Sequence, residues 1–262
     1  MFIGSDALAL APFTRKISYL EDGDWAIIRR AGAEIHDDTG APVERKISLT
    51  EATGALIGKG NYRHFMEKEI HEQPEVMGYT LFQYYRSTDR SIKLPDLPFD
   101  PVTLPKLTIV AAGTSFYAGM VAKYWFETLA RVPVEIDIAS EFRYRNPVMP
   151  EGGAALFISQ SGESLDTLMA LRHAREAGQH ILALVNQPES TIARESDVVL
   201  QTLAGPEICV ASTKAFTTQL VALLTMAVDF ARKRGTASDE DLNRVLDSLV
   251  HVPAQIGEVL KD

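Results

Sequence analysis

Cysteine is nearly missing from this chain: Cys209 is the single one in 262 residues. One thiol excludes a disulfide framework and a cysteine-built metal cluster, and it fits a reducing compartment. Long apolar runs are missing too, none approaching the roughly 18 residues of a membrane span. The opening Met1-Phe2-Ile3-Gly4-Ser5-Asp6 has neither the charged nor the apolar region of a secretory leader. The expectation is a soluble, cytoplasmic protein. Positive charge is short: 26 Lys and Arg face 35 Asp and Glu, a net charge of −9. Nucleic acid and anionic membrane both rely on a basic surface, so neither is an expected partner. A small anion is still admissible, because backbone dipoles and hydroxyls can hold one within an acidic protein.

Several motifs are absent as well. After Gly113 the next glycine is Gly119, so no dinucleotide fingerprint follows that point, and no P-loop occurs anywhere. Ser161 is flanked at two residues by Ser159 and Glu163 where a nucleophile elbow needs glycines. His173 falls on the helix after that turn and reads as a surface residue. His64 and His71 stand seven apart without a third ligand, which gives no metal site. No cofactor is implied.

What is present has the balance of a globular protein, 46% hydrophobic and 23% charged, with room for a sizeable core. Residues 1–58 alternate short β-type runs with Gly- and Asp-rich turns, as in Trp25-Ala26-Ile27-Ile28 and Glu34-Ile35-His36, and predict a meander of hairpins. Asn61 to Glu72 has helical spacing with a charged, solvated face, and Pro74 is expected to stop it. Pro95, Pro98, Pro101 and Pro105 mark the end of a helical and proline-rich linker over 59–105.

From 106 onward strand and helix patterns alternate. Lys106–Ala112, Val132–Ile138, Ala154–Ile158, His180–Val185 and Asp197–Thr202 read as strands, and Thr114–Leu129 and Ser212–Arg234 as helices. Such alternation predicts an α/β fold, a flavodoxin-like doubly wound parallel sheet of five strands spanning 106–235. Ser238 with Asp241 starts a further helix within 236–262, with Pro253 expected to break it.

Three turns then attract notice. Gly113-Thr114-Ser115 joins the first strand to its helix. Ser159-Gln160-Ser161-Gly162-Glu163-Ser164 does so after the third, and Val210-Ala211-Ser212-Thr213 precedes the long helix. Ser and Thr are favoured at helix starts for local reasons, so each turn alone has a plain structural explanation. In a parallel sheet all three lie on the rim at the carboxyl ends of the strands, where ligands bind. Unpaired amides at a helix start, the dipole behind them and short hydroxyl donors together suit a phosphate. A small phosphorylated ligand is the expectation.

These same residues resemble the sugar isomerase (SIS) domain. Ala111 to Ser115, Ala139-Ser140-Glu141-Phe142-Arg143-Tyr144-Arg145, Ile158 to Glu163 and Val210 to Gln219 are similar to the first SIS domain of the glucosamine-6-phosphate synthase family. Those enzymes are glutamine-dependent amidotransferases acting on fructose 6-phosphate. Lys59 to Met66 with Glu69-Ile70 is similar to the family's interdomain linker. Phe2 to Asp6 with Ala11-Pro12 resembles the late part of its glutaminase domain, making residues 1–58 a remnant of that domain.

The resemblance implies that Thr114, Ser115, Ser159, Gln160, Ser161 and Ser164 hold the sugar phosphate, and that Val210 and Ser212 line the sugar. Asp6 would match a residue that holds glutamine. Ser164 stands where the family usually has Thr, and Ala112 where it usually has Cys. The family's N-terminal cysteine nucleophile has no counterpart, since residue 2 is Phe. Its Glu base, ring-opening His and Schiff-base Lys belong to a second SIS domain and tail, which would begin after Asp262. Lys214 and Glu163, the nearest chemical types, read as site-supporting. No catalytic residue is therefore assigned, and the chain is expected to be an internal piece that binds sugar phosphate without turning it over. A homodimer is implied. A non-catalytic sugar-phosphate sensor and a stand-alone phosphosugar isomerase stay open as alternatives.

Overall fold

The computed structural model describes residues 1–4, 10, 13–30, 32–49 and 58–261. The chain divides into two compact units, Met1–Asn61 and Tyr62–Asp262.

The first unit is built of short antiparallel strands. β1 (Lys16–Ser18) pairs with β5 (Ile47–Leu49). β2 (Trp25–Arg29), β3 (Gly32–His36) and β4 (Pro42–Val43) form a meander. Trp25 and His36 face each other across β2 and β3 and stack with ring centroids 4.3 Å apart. The turn before β2 is held by Asp24, whose carboxylate accepts from Arg45 Nε and Nη2, both at 2.8 Å.

The second unit opens with α1 (Phe65–Tyr84), which runs straight through Pro74. Proline removes an N–H and leaves the carbonyl four residues back without its donor. Here that carbonyl, Ile70 O, accepts from Gln73 Nε2 at 3.0 Å, so the helix continues past the expected stop. Nor is the charged face of α1 wholly solvated. Glu69 is 1% exposed, and Glu72 meets Lys214 from another helix. After the hairpin β6 (Tyr85–Arg86) and β7 (Ser91–Ile92) the α/β alternation begins.

β8 (Leu107–Ala111), β9 (Val134–Ile138), β10 (Ala154–Ser159), β11 (His180–Val185) and β12 (Val198–Gln201) form one parallel sheet in the order β12-β11-β10-β8-β9. Every residue of the neighbouring β8 and β10 is buried, as covering on both faces requires. Their side chains alternate between two cores. Leu107, Ile109, Leu156 and Ile158 meet α1, α2 (Gly113–Trp125), α6 (Lys214–Arg234) and α7 (Asp239–Val259). Val110, Ala155 and Phe157 meet α3 (Ala139–Phe142), α4 (Leu165–Glu176) and α5 (Thr191–Arg194). α2 passes into a π-helical turn over Phe126–Ala130.

Counted along the sheet, the order is 2-1-3-4-5, the flavodoxin-like doubly wound arrangement. Its switch point lies between β8 and β10, where consecutive crossovers leave to opposite faces and a crevice opens. The final helix also carries proline within its span, since Pro253 sits inside α7 instead of breaking it. No helix among the described residues is long and apolar enough to cross a membrane.

Candidate functional site

Both strands at the switch point turn directly into helices. β8 ends at Ala111, and α2 starts at Gly113, whose φ of +57° lets the chain reverse within two residues. β10 ends at Ser159 and leads through Gly162, φ +67°, to α4. A side chain at 162 is excluded twice over, because a Cβ there would lie 1.9 Å from Ser190 Oγ. Neither α2 nor α4 has a side-chain cap: Ala112 cannot provide one, and Ser164 does not. Their first-turn amides and the positive ends of two helix dipoles therefore meet at one place.

That place is a cavity of about 380 Å³. Thr114 and Ser115 line it from the first turn, and Ser159, Gln160, Ser161 and Ser164 from the second. Val210 and Ser212 line it from the loop before α6. All eight residues expected to hold or line the sugar phosphate share this wall, together with Ala112, Gly113, Ile158, Thr167 and Ala211. Asp6 lies outside the described residues. None of the described residues that line the cavity is charged, and among the described residues no cluster suited to a metal ion is found.

Hydrogen bonds fix which way several of these hydroxyls point. Ser115 Oγ accepts from Gln219 Nε2 at 3.0 Å. Ser159 Oγ accepts from Gly162 N at 3.0 Å, and Ser161 Oγ accepts from Glu163 N at 3.3 Å. Each keeps its own proton to offer elsewhere.

The third turn is built differently. Glu207 Oε1 accepts from Thr213 N at 2.8 Å and Ala215 N at 3.2 Å, while Ser212 Oγ donates to Glu207 Oε2 at 2.7 Å. An internal carboxylate thus fills the N-terminus of α6, where α2 and α4 leave theirs open. α1 tethers the same loop: Glu69 Oε1 accepts from Ile208 N at 2.6 Å and Cys209 N at 3.2 Å. Lys214, 3% exposed, places Nζ 2.6 Å from Glu72 Oε2.

Lys214 is therefore engaged with α1, and Glu163 accepts from Thr191 N at 2.8 Å. Both support the site instead of lining it. His173 is half-buried edge-on against Phe142. Sequence reasoning missed Thr167, Glu207 and Gln219, together with the anchoring role of Glu69 and Glu72. Their spacing to the turns matches no local capping pattern, and only the packing of α1, α4 and α6 reveals what they do.

Residues 105–229 match the family model described as the SIS domain. Over 99% of its length the chain is 55% identical to the glutamine–fructose-6-phosphate aminotransferase [isomerizing] of Zymomonas mobilis, and 54% identical to that of Bradyrhizobium diazoefficiens. It spans only 43% of the length of either. Among solved structures it resembles the C-terminal domain of glucosamine-fructose-6-phosphate aminotransferase from Francisella tularensis. That match has a TM-score of 0.70 at 41% identity and covers 75% of this chain and 55% of that one. A glucosamine-6-phosphate deaminase from Thermotoga maritima shares the fold, with a TM-score of 0.56 at 21% identity, covering 73% and 54% of the two chains.

Proposed function

We propose that this chain, which matches the SIS domain over residues 105–229 and is 55% identical to a glutamine–fructose-6-phosphate aminotransferase across the 43% of that protein it spans, belongs to that family and that its cavity is the fructose 6-phosphate site. The observation that carries the reading is the meeting of two uncapped helix N-termini with hydroxyls from three loops in one uncharged wall. Thr114, Ser115, Ser159, Gln160, Ser161 and Ser164 surround the phosphate, and Val210 and Ser212 face the sugar. Neutral donors of this kind contribute about 0.5–1.5 kcal/mol each, so several together are needed to hold the ligand.

The parent reaction moves ammonia from glutamine to fructose 6-phosphate, giving glucosamine 6-phosphate and glutamate. Carbonyl amination with a proton shift needs a nucleophilic amine and an acid–base group. The described lining residues are Ser, Thr, Gln, Gly, Ala, Ile and Val, so this chain contributes positioning, which fixes the reacting carbons relative to groups brought from elsewhere. The flanking segments fit the same reading, with residues 1–58 as the glutaminase remnant, 59–105 as linker, 106–235 as the SIS domain and 236–262 as lead-out. A homodimer is supported by an exposed apolar stripe on α2 formed by Tyr117, Met120, Val121 and Tyr124. The acidic balance and single cysteine support a cytoplasmic setting without nucleic-acid partners.

Calorimetric titration tests the proposal. Fructose 6-phosphate should bind where fructose does not. Its affinity should change little up to about 0.5 M salt, because dipoles and hydroxyls in a recess are screened less than surface charges. Glucosamine 6-phosphate should not form with this polypeptide alone. Equal binding of the two sugars, or a steep loss with salt, would remove the phosphate pocket from the account.

A further inference from the structure

Ser212 stands in the cavity wall with its proton already committed to Glu207 Oε2, 2.7 Å away. A hydroxyl has one proton and two lone pairs, and a carboxylate has no proton to return. The Glu207 side chain cannot rotate away freely either, because its other oxygen accepts from Thr213 N and Ala215 N. Toward anything in the cavity Ser212 can therefore only accept. Ser115, Ser159 and Ser161 have the opposite polarity, each accepting a hydrogen bond from a protein N–H and keeping its own proton to donate. One cavity thus holds a donor group of hydroxyls and a single hydroxyl fixed as acceptor.

We propose that Glu207 is a specificity-determining positioning residue that makes Ser212 an obligate acceptor. The cavity then takes an anion against α2 and α4 and demands a hydrogen-bond donor, a sugar hydroxyl or an amine, at Ser212. A second anionic group reaching Ser212 would meet a lone pair with a carboxylate behind it and is rejected. This rests on the sugar-phosphate reading above and adds to it the sense of one hydrogen bond and the residue that sets it.

The test compares fructose 6-phosphate, fructose 1,6-bisphosphate and inorganic phosphate on the full chain. Glu207→Gln keeps the shape but offers an amide N–H to Ser212 Oγ, which can reverse the hydroxyl. It should weaken fructose 6-phosphate by about tenfold, leave inorganic phosphate within about twofold, and narrow the preference for the monophosphate over the bisphosphate. Ser212→Ala should show the same loss for fructose 6-phosphate, and the double variant no further loss, because the two residues act as one unit. A merely structural role for Glu207 would weaken phosphate and sugar phosphate alike, and that outcome overturns the proposal. So does a Ser212→Ala variant with unchanged affinity, which decides the matter alone if Glu207→Gln fails to fold. Should the parent chain not bind fructose 6-phosphate, the underlying reading falls and takes this one with it. Binding by the parent with either contrary variant result sinks the role of Glu207 only.

Discussion

Two glycines at the mouths of the switch-point turns separate backbone strain from crowding. Gly113 and Gly162 both have positive φ, +57° and +67°. Nothing lies within 4 Å of a Cβ built on Gly113, whereas one on Gly162 would meet Ser190 Oγ at 1.9 Å and Ser190 Cβ at 2.5 Å. Gly113→Ala should therefore destabilise by only the left-handed penalty, about 1–2 kcal/mol. Gly162→Ala should exceed that clearly, to about 3 kcal/mol or more, because Ser190 must also leave its capping position on α5. Urea denaturation of the two variants checks the ranking, and equal losses would refute the crowding argument. At this scale the turns were legible because residue type alone states their chemistry: short hydroxyls beside glycine at strand ends. Glu207 and Gln219 were not, since a carboxylate says nothing of its partners until the loop before α6 folds back on it, nor an amide until α6 is laid beside α2.

For whole elements, legibility followed burial. β8, β10 and β11 read off as largely apolar runs because both faces of a central parallel strand are covered. Proline does not terminate either of the two helices that contain it. The expectation that it would rests on a lost hydrogen bond, and at Pro74 a neighbouring glutamine supplies the missing donor. Sequence reading weighs the proline and does not see the amide beside it. The start of α7 was readable, since Ser238 Oγ accepts from Asp241 N at 3.1 Å and donates to Asp241 Oδ2 at 2.7 Å, a reciprocal cap. Ser238→Ala should lower stability by about 1 kcal/mol, measured as a shift in the denaturation midpoint with unchanged slope. A neutral result would mean that packing of Leu242 and Leu246 alone sets that helix start.

Across the molecule the two units differ in how they are held. The second has an extensive buried core on each face of its sheet. In the first, Ile17 is the buried hydrophobic side chain among the described residues, while Ile47 and Leu49 are both 65% exposed. Ionic pairing matters correspondingly more there. The Arg45 guanidinium, bonded to both oxygens of Asp24, holds that carboxyl at about 2, below its ordinary 3.8. A depressed carboxyl stabilises the fold fully above its unfolded value, and the contribution is lost as pH falls from about 4 through about 2. Pepsin cleavage within 13–49 should therefore rise over that window, and Asp24→Asn should be susceptible already at its upper end. Identical profiles for the two proteins would show that the pair contributes nothing.

The phenol of Tyr84 has a consequence for how far the sheet can extend. Its oxygen donates to Gln201 O and accepts from Gln201 N, both at 2.6 Å, and burial pushes its pKa up to about 12. Just beyond, Thr80 Oγ1 accepts from Leu203 N at 3.0 Å. A helix side chain thereby supplies the rungs that a sixth strand would otherwise provide at the end of β12. An edge finished in this manner offers a stray peptide no ladder to climb there, so α1 acts as a selvedge that keeps the weave from growing.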